Sequence, residues 1–162
     1  MLNGALSAPE NIDNASIIDL LCFDVGNERF AVELWSVDEV VDAAVLDAYD
    51  SDGSVAGVMR LRNELLPVYD AASVLRVQRV SITPMALIFS LGDSAIAVLV
   101  DNAEAALAVG LDGLRSPGAI ISEDDILTGA LKVGQRWVGL LHAAAMIEAL
   151  VRMPLAQKSH AS

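Results

Sequence analysis

Residues 57–75 read GVMRLRNELLPVYDAASVL, and residues 129–147 read GALKVGQRWVGLLHAAAMI. They align without a gap at an offset of 72: Gly57 meets Gly129, Leu61 meets Val133, Val68 meets Leu140, and Ala71-Ala72 meet Ala143-Ala144. Each stretch holds two apolar runs around a short polar break, which is the pattern of a β-hairpin. Gly134-Gln135 supplies the turn in one, and Asn63-Glu64 takes that role in the other, because Asn tolerates positive φ better than any other non-Gly residue. A second pair of stretches repeats the same grammar. FDVGNERFAV (23–32) aligns with FSLGDSAIAV (89–98) at an offset of 66, around the turn signals Gly26-Asn27 and Gly92-Asp93. The order is a hairpin followed by a glycine-led hairpin, twice. This is an internal duplication of a unit of about 60 to 70 residues.

Working outward, the sequence predicts one ordered domain over 16–152, made of two similar β subdomains at about 17–80 and 85–150. A β unit of this size buries little of its own surface, so the two are expected to share a core or exchange strands. Helix is sparse. HAAAMIEALVRM is the best helical segment, with Pro154 as its stop, and AASVL at 71–75 suits a single helical turn. Residues 1–15 and 153–162 read as a polar N-terminal arm and a flexible C-terminal tail.

The 162 residues are 54% hydrophobic and 4% aromatic, so the core must be aliphatic. A net charge of −12 repels phosphate backbones and anionic lipid, which argues against a nucleic-acid partner. No apolar stretch is long enough for membrane insertion, and residues 1–16 lack the pattern of a signal peptide. The lone Cys22 sits in the apolar run IIDLLCFDV and reads as a core residue of a protein in the reducing cytoplasm.

The residues carry no catalytic constellation. His142 and His160 have no ligand spacing for zinc, no nucleophile elbow positions a serine, and no glycine loop cradles a phosphate, so neither metal nor cofactor is expected. The acidic stretch holding Asp47, Asp50, Asp52 and Gly53 misses calcium-loop spacing and reads as a solvated connection, as does SEDD at 122–125. Asp24 reads as a solvent-facing strand residue. A duplicated β module without a catalytic set is most simply a non-enzymatic interaction domain, with the cleft between its halves as the natural docking place. A small β-barrel enzyme or ligand-binding protein is the competing class.

The stretch Gly57–Asp70 resembles the G-V-x-x-L-R-x-x-x-x-P-V-x-D signature of CheW-like domains, the coupling proteins of bacterial chemotaxis. FDVGNERFAVELWSVDEVV, AVLVDNA and ILTGALKVGQRWVGLLHAAAMI resemble other segments of that family in the same order, over about residues 18 to 150. The resemblance implies a mainly β fold of two intertwined SH3-like five-stranded β-barrels around a shared hydrophobic core, with a short C-terminal helix. It implies a free-standing adaptor that joins a chemoreceptor's cytoplasmic tip to the regulatory domain of a CheA-type histidine kinase, or a related coupler in another sensory or surface-motility array. By resemblance, Arg62 matches the signature arginine and Glu39 the acidic residue of the V-x-E strand. Val37, Val40, Val98 and Val100 match apolar positions at or near the groove that takes the receptor tip, and Pro67, Val68 and Asp70 match the strand near the kinase contact. Arg60 and Asn63 stand where the family's N-L-R-G motif has Asn and Gly, and His142 stands where many members carry an acid or amide.

Strand alternation places Arg60 and Arg62 on one face, a positive stripe on an acidic protein. Either this is a solvated face with local ion pairs, or it is a contact surface. With the resemblance, Arg62 is expected to pair with Glu39 on a neighbouring strand, and Arg60 to extend the contact to an acidic partner. Trp35 and Trp137 are expected to pack in the core or its rim.

Overall fold

Two five-stranded sheets carry the chain, and neither is built from one half of the sequence. The computed structural model describes residues 17–43, 55–81, 83–115 and 126–161. The first half supplies β1 (Ile17–Val25), β2 (Glu28–Glu33), a 3-10 turn at Leu34–Ser36, β3 (Glu39–Asp42), β4 (Val55–Leu61), β5 (Glu64–Asp70) and the one-turn helix α1 (Ala72–Leu75). The second half supplies β6 (Met85–Leu91), β7 (Ser94–Val100), β8 (Asn102–Gly110), β9 (Leu127–Val133), β10 (Arg136–Leu141) and helix α2 (Ala143–Ala161).

One sheet runs β8-β1-β2-β10-β9 and the other β3-β6-β7-β5-β4. Renaming each strand by its counterpart in the other half converts one order into the other. Each half therefore lends its leading hairpin to the sheet finished by the other half, and the duplication becomes a pseudo-twofold with exchanged hairpins. The lent hairpins join their hosts through parallel pairs, β2 with β10 and β7 with β5. Apart from these two pairs, the ladders are antiparallel.

The exchange explains why the leading strands are apolar on both faces. Leu20, Cys22, Ala31, Leu131 and Val138 fill the interior of the first sheet. Their counterparts at offsets 66 and 72 are Ala86, Ile88, Ala97, Met59 and Leu66, and all five fill the interior of the second. The alternate residues of the same strands, Leu21, Phe23 and Val25 in β1 and Ile96, Val98 and Val100 in β7, meet between the sheets. There they form a shared core with Met146, Ile147 and Leu150 of α2. A strand covered on both sides reads as a continuous apolar run, not as alternation.

The four hairpins close with two-residue loops. Val25 pairs with Glu28, Leu91 with Ser94, Val133 with Arg136, and Leu61 with Glu64. Three loops have Gly at their first position with φ between +63° and +65°; the fourth is Arg62-Asn63, at +46° and +69°. The turn therefore lies one residue earlier than Asn63-Glu64, and Glu64 already belongs to β5. At the C-terminus, α2 continues through Pro154 to Ala161 instead of stopping there. Proline removes a single N–H from the ladder, and a helix already docked through Met146, Ile147 and Leu150 tolerates that loss. The acidic stretch at 47–53, SEDD at 122–125 and the arm at 1–15 lie outside the described residues.

Candidate functional site

The β4–β5 hairpin builds the most distinctive charged feature of the second sheet. A two-residue loop matching the right-handed strand twist takes positive φ at its first central residue, as at Gly26, Gly92 and Gly134, or at both, as at Arg62 and Asn63. Asn63 accepts that conformation readily; Arg62 does so at a conformational cost, and the counterpart of Arg62 in the second repeat is Gly134. Arg62 thus leaves the strand face it was expected to share with Arg60. From the loop, its Nη1 donates to Glu39 Oε1 at 3.3 Å and its Nη2 donates to Glu39 Oε2.

Glu39 lies on β3, which is not a hydrogen-bonded neighbour of β4 but the opposite end of the same sheet. The forked pair therefore links the two outer strands of one sheet across the hairpin tip. The hydrogen bond from Arg62 holds the Glu39 carboxyl below its ordinary range, and the same bond raises the guanidinium above its own. Arg62 is largely exposed and Glu39 partly covered. Such a pair fixes geometry more than it adds stability.

Arg60 stays on β4, exposed and without an ion-pair partner among the described residues. It lies across the ladder from Leu65, which is also exposed. The surface thus combines a cation with no ion-pair partner among the described residues, an apolar side chain and an oriented Arg–Glu pair. Leu65 was legible by strand parity, since Leu66 and Val68 point inward.

The remaining expected residues divide by burial. Val37 and Val40 are half-buried and pack on the edge of the shared core beside Glu39. Pro67 is half-buried opposite Val58. Val98, Val100 and Val68 are fully buried and cannot touch a partner directly. The two-sided burial of β7 and the inward face of β5 account for this. Asp70 is occupied within the chain: it accepts the Ala72 N–H at 3.0 Å, and its two oxygens share the Arg79 Nε–H, each at 3.0 Å. Its counterpart His142 does the matching work, accepting the Ala145 N–H at Nδ1 and so opening α2.

Both tryptophans are exposed, contrary to expectation. Trp35 is 78% exposed and donates its indole N–H to Glu33, while the Arg115 guanidinium lies 5.5 Å from the Trp137 ring. Asp24 is not simply solvent-facing; it is half-buried and pairs with Arg29 and Arg136. Cys22 is buried, and burial raises its thiol pKa while Arg29 opposes the shift. Among the described residues no His, Cys, Asp and Glu group is placed to hold a metal, and no helix is long and apolar enough to cross a membrane.

A family model described as a CheW-like domain matches residues 19–151. The fold is similar to the crystal structure of the scaffolding protein TtCheW from Thermoanaerobacter tengcongensis, with a TM-score of 0.65 and 15% identity over 78% of this chain and 89% of that one. No curated protein matches the sequence.

Proposed function

The chain belongs to the CheW-like domain family, and from that membership we propose that it is a cytoplasmic adaptor holding a chemoreceptor's cytoplasmic tip and the regulatory domain of a CheA-type histidine kinase in one complex. The family's members are non-enzymatic scaffolds. The observation that carries the reading is the Arg62–Glu39 pair: a side chain on a costly left-handed backbone, spent on orienting a partly covered carboxylate. In this reading the pair, with Arg60 and Leu65, forms one contact surface of the adaptor. Val37 and Val40 border the groove for the receptor tip, Pro67 supports the kinase side, and Asp70, Val68, Val98 and Val100 act from beneath by holding the strands in place.

The test is a pull-down with the cognate receptor's cytoplasmic hairpin and the kinase regulatory domain, separately and together. The adaptor retains both, and each partner retains the other only when the adaptor is present. Arg62→Gly, which copies the second repeat, keeps the thermal midpoint at or above that of the parent while removing most of the three-way retention. Retention of neither partner, with both shown to be folded, refutes the coupling role. Full retention by Arg62→Gly refutes the part assigned to the ion pair.

A further inference from the structure

One half of the duplication shows what the other half lacks. Past α1 the chain turns back at Arg76, with φ at +60°, and residues 77–81 lie across the end of the first repeat. Three groups hold this segment. Asp70 takes the Arg79 guanidinium, Asp101 accepts the N–H groups of Val80 and Ser81 at 3.0 and 2.9 Å, and Gly26 lies so close that a Cβ there would sit 2.4 Å from the Gln78 carbonyl oxygen.

At offsets of 72 and 66 the counterparts of Asp70, Asp101 and Gly26 are His142, Trp35 and Gly92. Here the chain does not turn back: Glu148, the counterpart of Arg76, is helical and α2 runs on. A Cβ on Gly92 would meet nothing within 4 Å. Between Trp35 and His142 lies a groove of about 460 Å³, lined by the apolar side chains of Ile18, Leu140 and Ile147. Its charges are both negative, Glu33 and Asp38. Glu33 is met by an indole N–H and Asp38 by the Ser90 hydroxyl, so neither charge is neutralised among the described residues.

We propose that this groove takes an extended segment of a partner protein in which an arginine or lysine is flanked by apolar residues, laid down as the chain lays its own residues 77–81. The cation sits against the exposed Trp35 face and the two carboxylates, and its apolar neighbours cover Leu140 and Ile147. The chain's own segments outside the described residues are the wrong occupants. Residues 1–16, 44–54 and 116–125 carry eight acids and no Lys or Arg. The inference does not rest on the coupling function.

The probe is a fluorescein-labelled peptide LRVQRVS, the sequence of residues 75–81, titrated with the full chain and followed by anisotropy. Saturable binding is expected, weakened about tenfold when both peptide arginines are replaced by glutamate. Trp35→Ala and the double variant Glu33→Gln/Asp38→Asn each weaken it by about fivefold or more, while Gln135→Ala, an exposed change outside the groove, leaves it unchanged. The substituted groove residues are surface side chains, so circular dichroism superimposable on the parent establishes that folding is intact. No saturable binding up to about 1 mM overturns the proposal. So does equal affinity for the two peptides, or binding that survives the groove substitutions, which places the peptide elsewhere.

Discussion

Replacing Gly26 by alanine is expected to destabilise the protein far more than the same change at Gly92, although the two are counterparts with φ of +63° and +64°. The shared part is the cost of an L-residue in the left-handed region, about 1–2 kcal/mol. At Gly92 nothing is added, because a Cβ meets no atom within 4 Å. At Gly26 the Cβ would fall 2.4 Å from the Gln78 carbonyl oxygen and 2.8 Å from Val77 Cγ1. That carbonyl cannot swing aside freely, since the N–H groups of Val80 and Ser81 just beyond it are bonded to Asp101. The loop must instead withdraw, and Gly26 then loses its own bond to Asp101, 2.6 Å long and charge-assisted. Such a bond is worth about 1.5–3 kcal/mol. The expected totals are about 3–5 kcal/mol at Gly26 and about 1–2 kcal/mol at Gly92. For a chain of this size these correspond to falls in the thermal midpoint of roughly 10–15 °C and 3–6 °C. Thermal unfolding followed by far-ultraviolet circular dichroism at pH 7 separates them. Equal shifts would refute the argument that the segment 77–81 is clamped against the first hairpin.

Two further predictions concern single residues. Burial is the strongest influence on Asp101 and raises its pKa, but the N–H groups of Ser81, Gly26 and Val80 together with Arg79 outweigh it, so the carboxyl titrates below its ordinary value. A lowered folded pKa contributes stability above the unfolded value, about 3.9, and loses it as pH falls through the folded one. Asp101→Asn should therefore cost about 1.5–3 kcal/mol at pH 7, and urea unfolding should show that difference shrinking below about pH 4; a pH-independent difference counts against it. Ala108 sits at φ +51° in a β8 bulge, where its N–H bonds Asp19 at 2.8 Å. Ala108→Gly relieves the backbone and should raise the thermal midpoint by about 3 °C, and a fall would show that the alanine methyl is needed there.

Much of this fold was legible because the chain states it twice. The gapless offsets of 66 and 72 carry each interior residue of one sheet onto an interior residue of the other, Cys22 onto Ile88 and Val138 onto Leu66 among them. Which hairpin joins which sheet was not legible, because exchange leaves every local pattern unchanged and alters only the partners. The valines show the same limit. Val98 and Val100 alternate like residues lining a groove, but β7 is covered on both faces and has no solvent side. The Arg62–Glu39 contact was readable only through resemblance, since the turn moved by one residue and the pair spans the two ends of a sheet. The exposure of Trp35 is hidden from the sequence for a different reason. A large apolar side chain beside a strand predicts burial in general, and nothing local shows that the 3-10 turn after β2 points it outward.

A duplicated fold also supplies its own control for assigning roles. Where both halves need the same packing, counterpart residues stay apolar even when their sizes differ, as Leu20 and Ala86 or Cys22 and Ile88 do in the two sheet interiors. Where counterparts differ in kind, packing does not explain the difference, because the other half packs well without it. Gly134 closes its hairpin at lower conformational cost than Arg62 closes the equivalent one, so the arginine must serve through its side chain, and the side chain reaches Glu39. Asp101 and Trp35 stand at one position of the duplication, the first gripping backbone of its own chain and the second exposed. The same internal comparison that marks Asp101 as structural leaves Trp35, among the described residues, without a structural duty of comparable weight. An exposed indole on a molecule with so few aromatics is best accounted for by something outside the chain, and the acidic groove beside it gives the sign of that partner's charge.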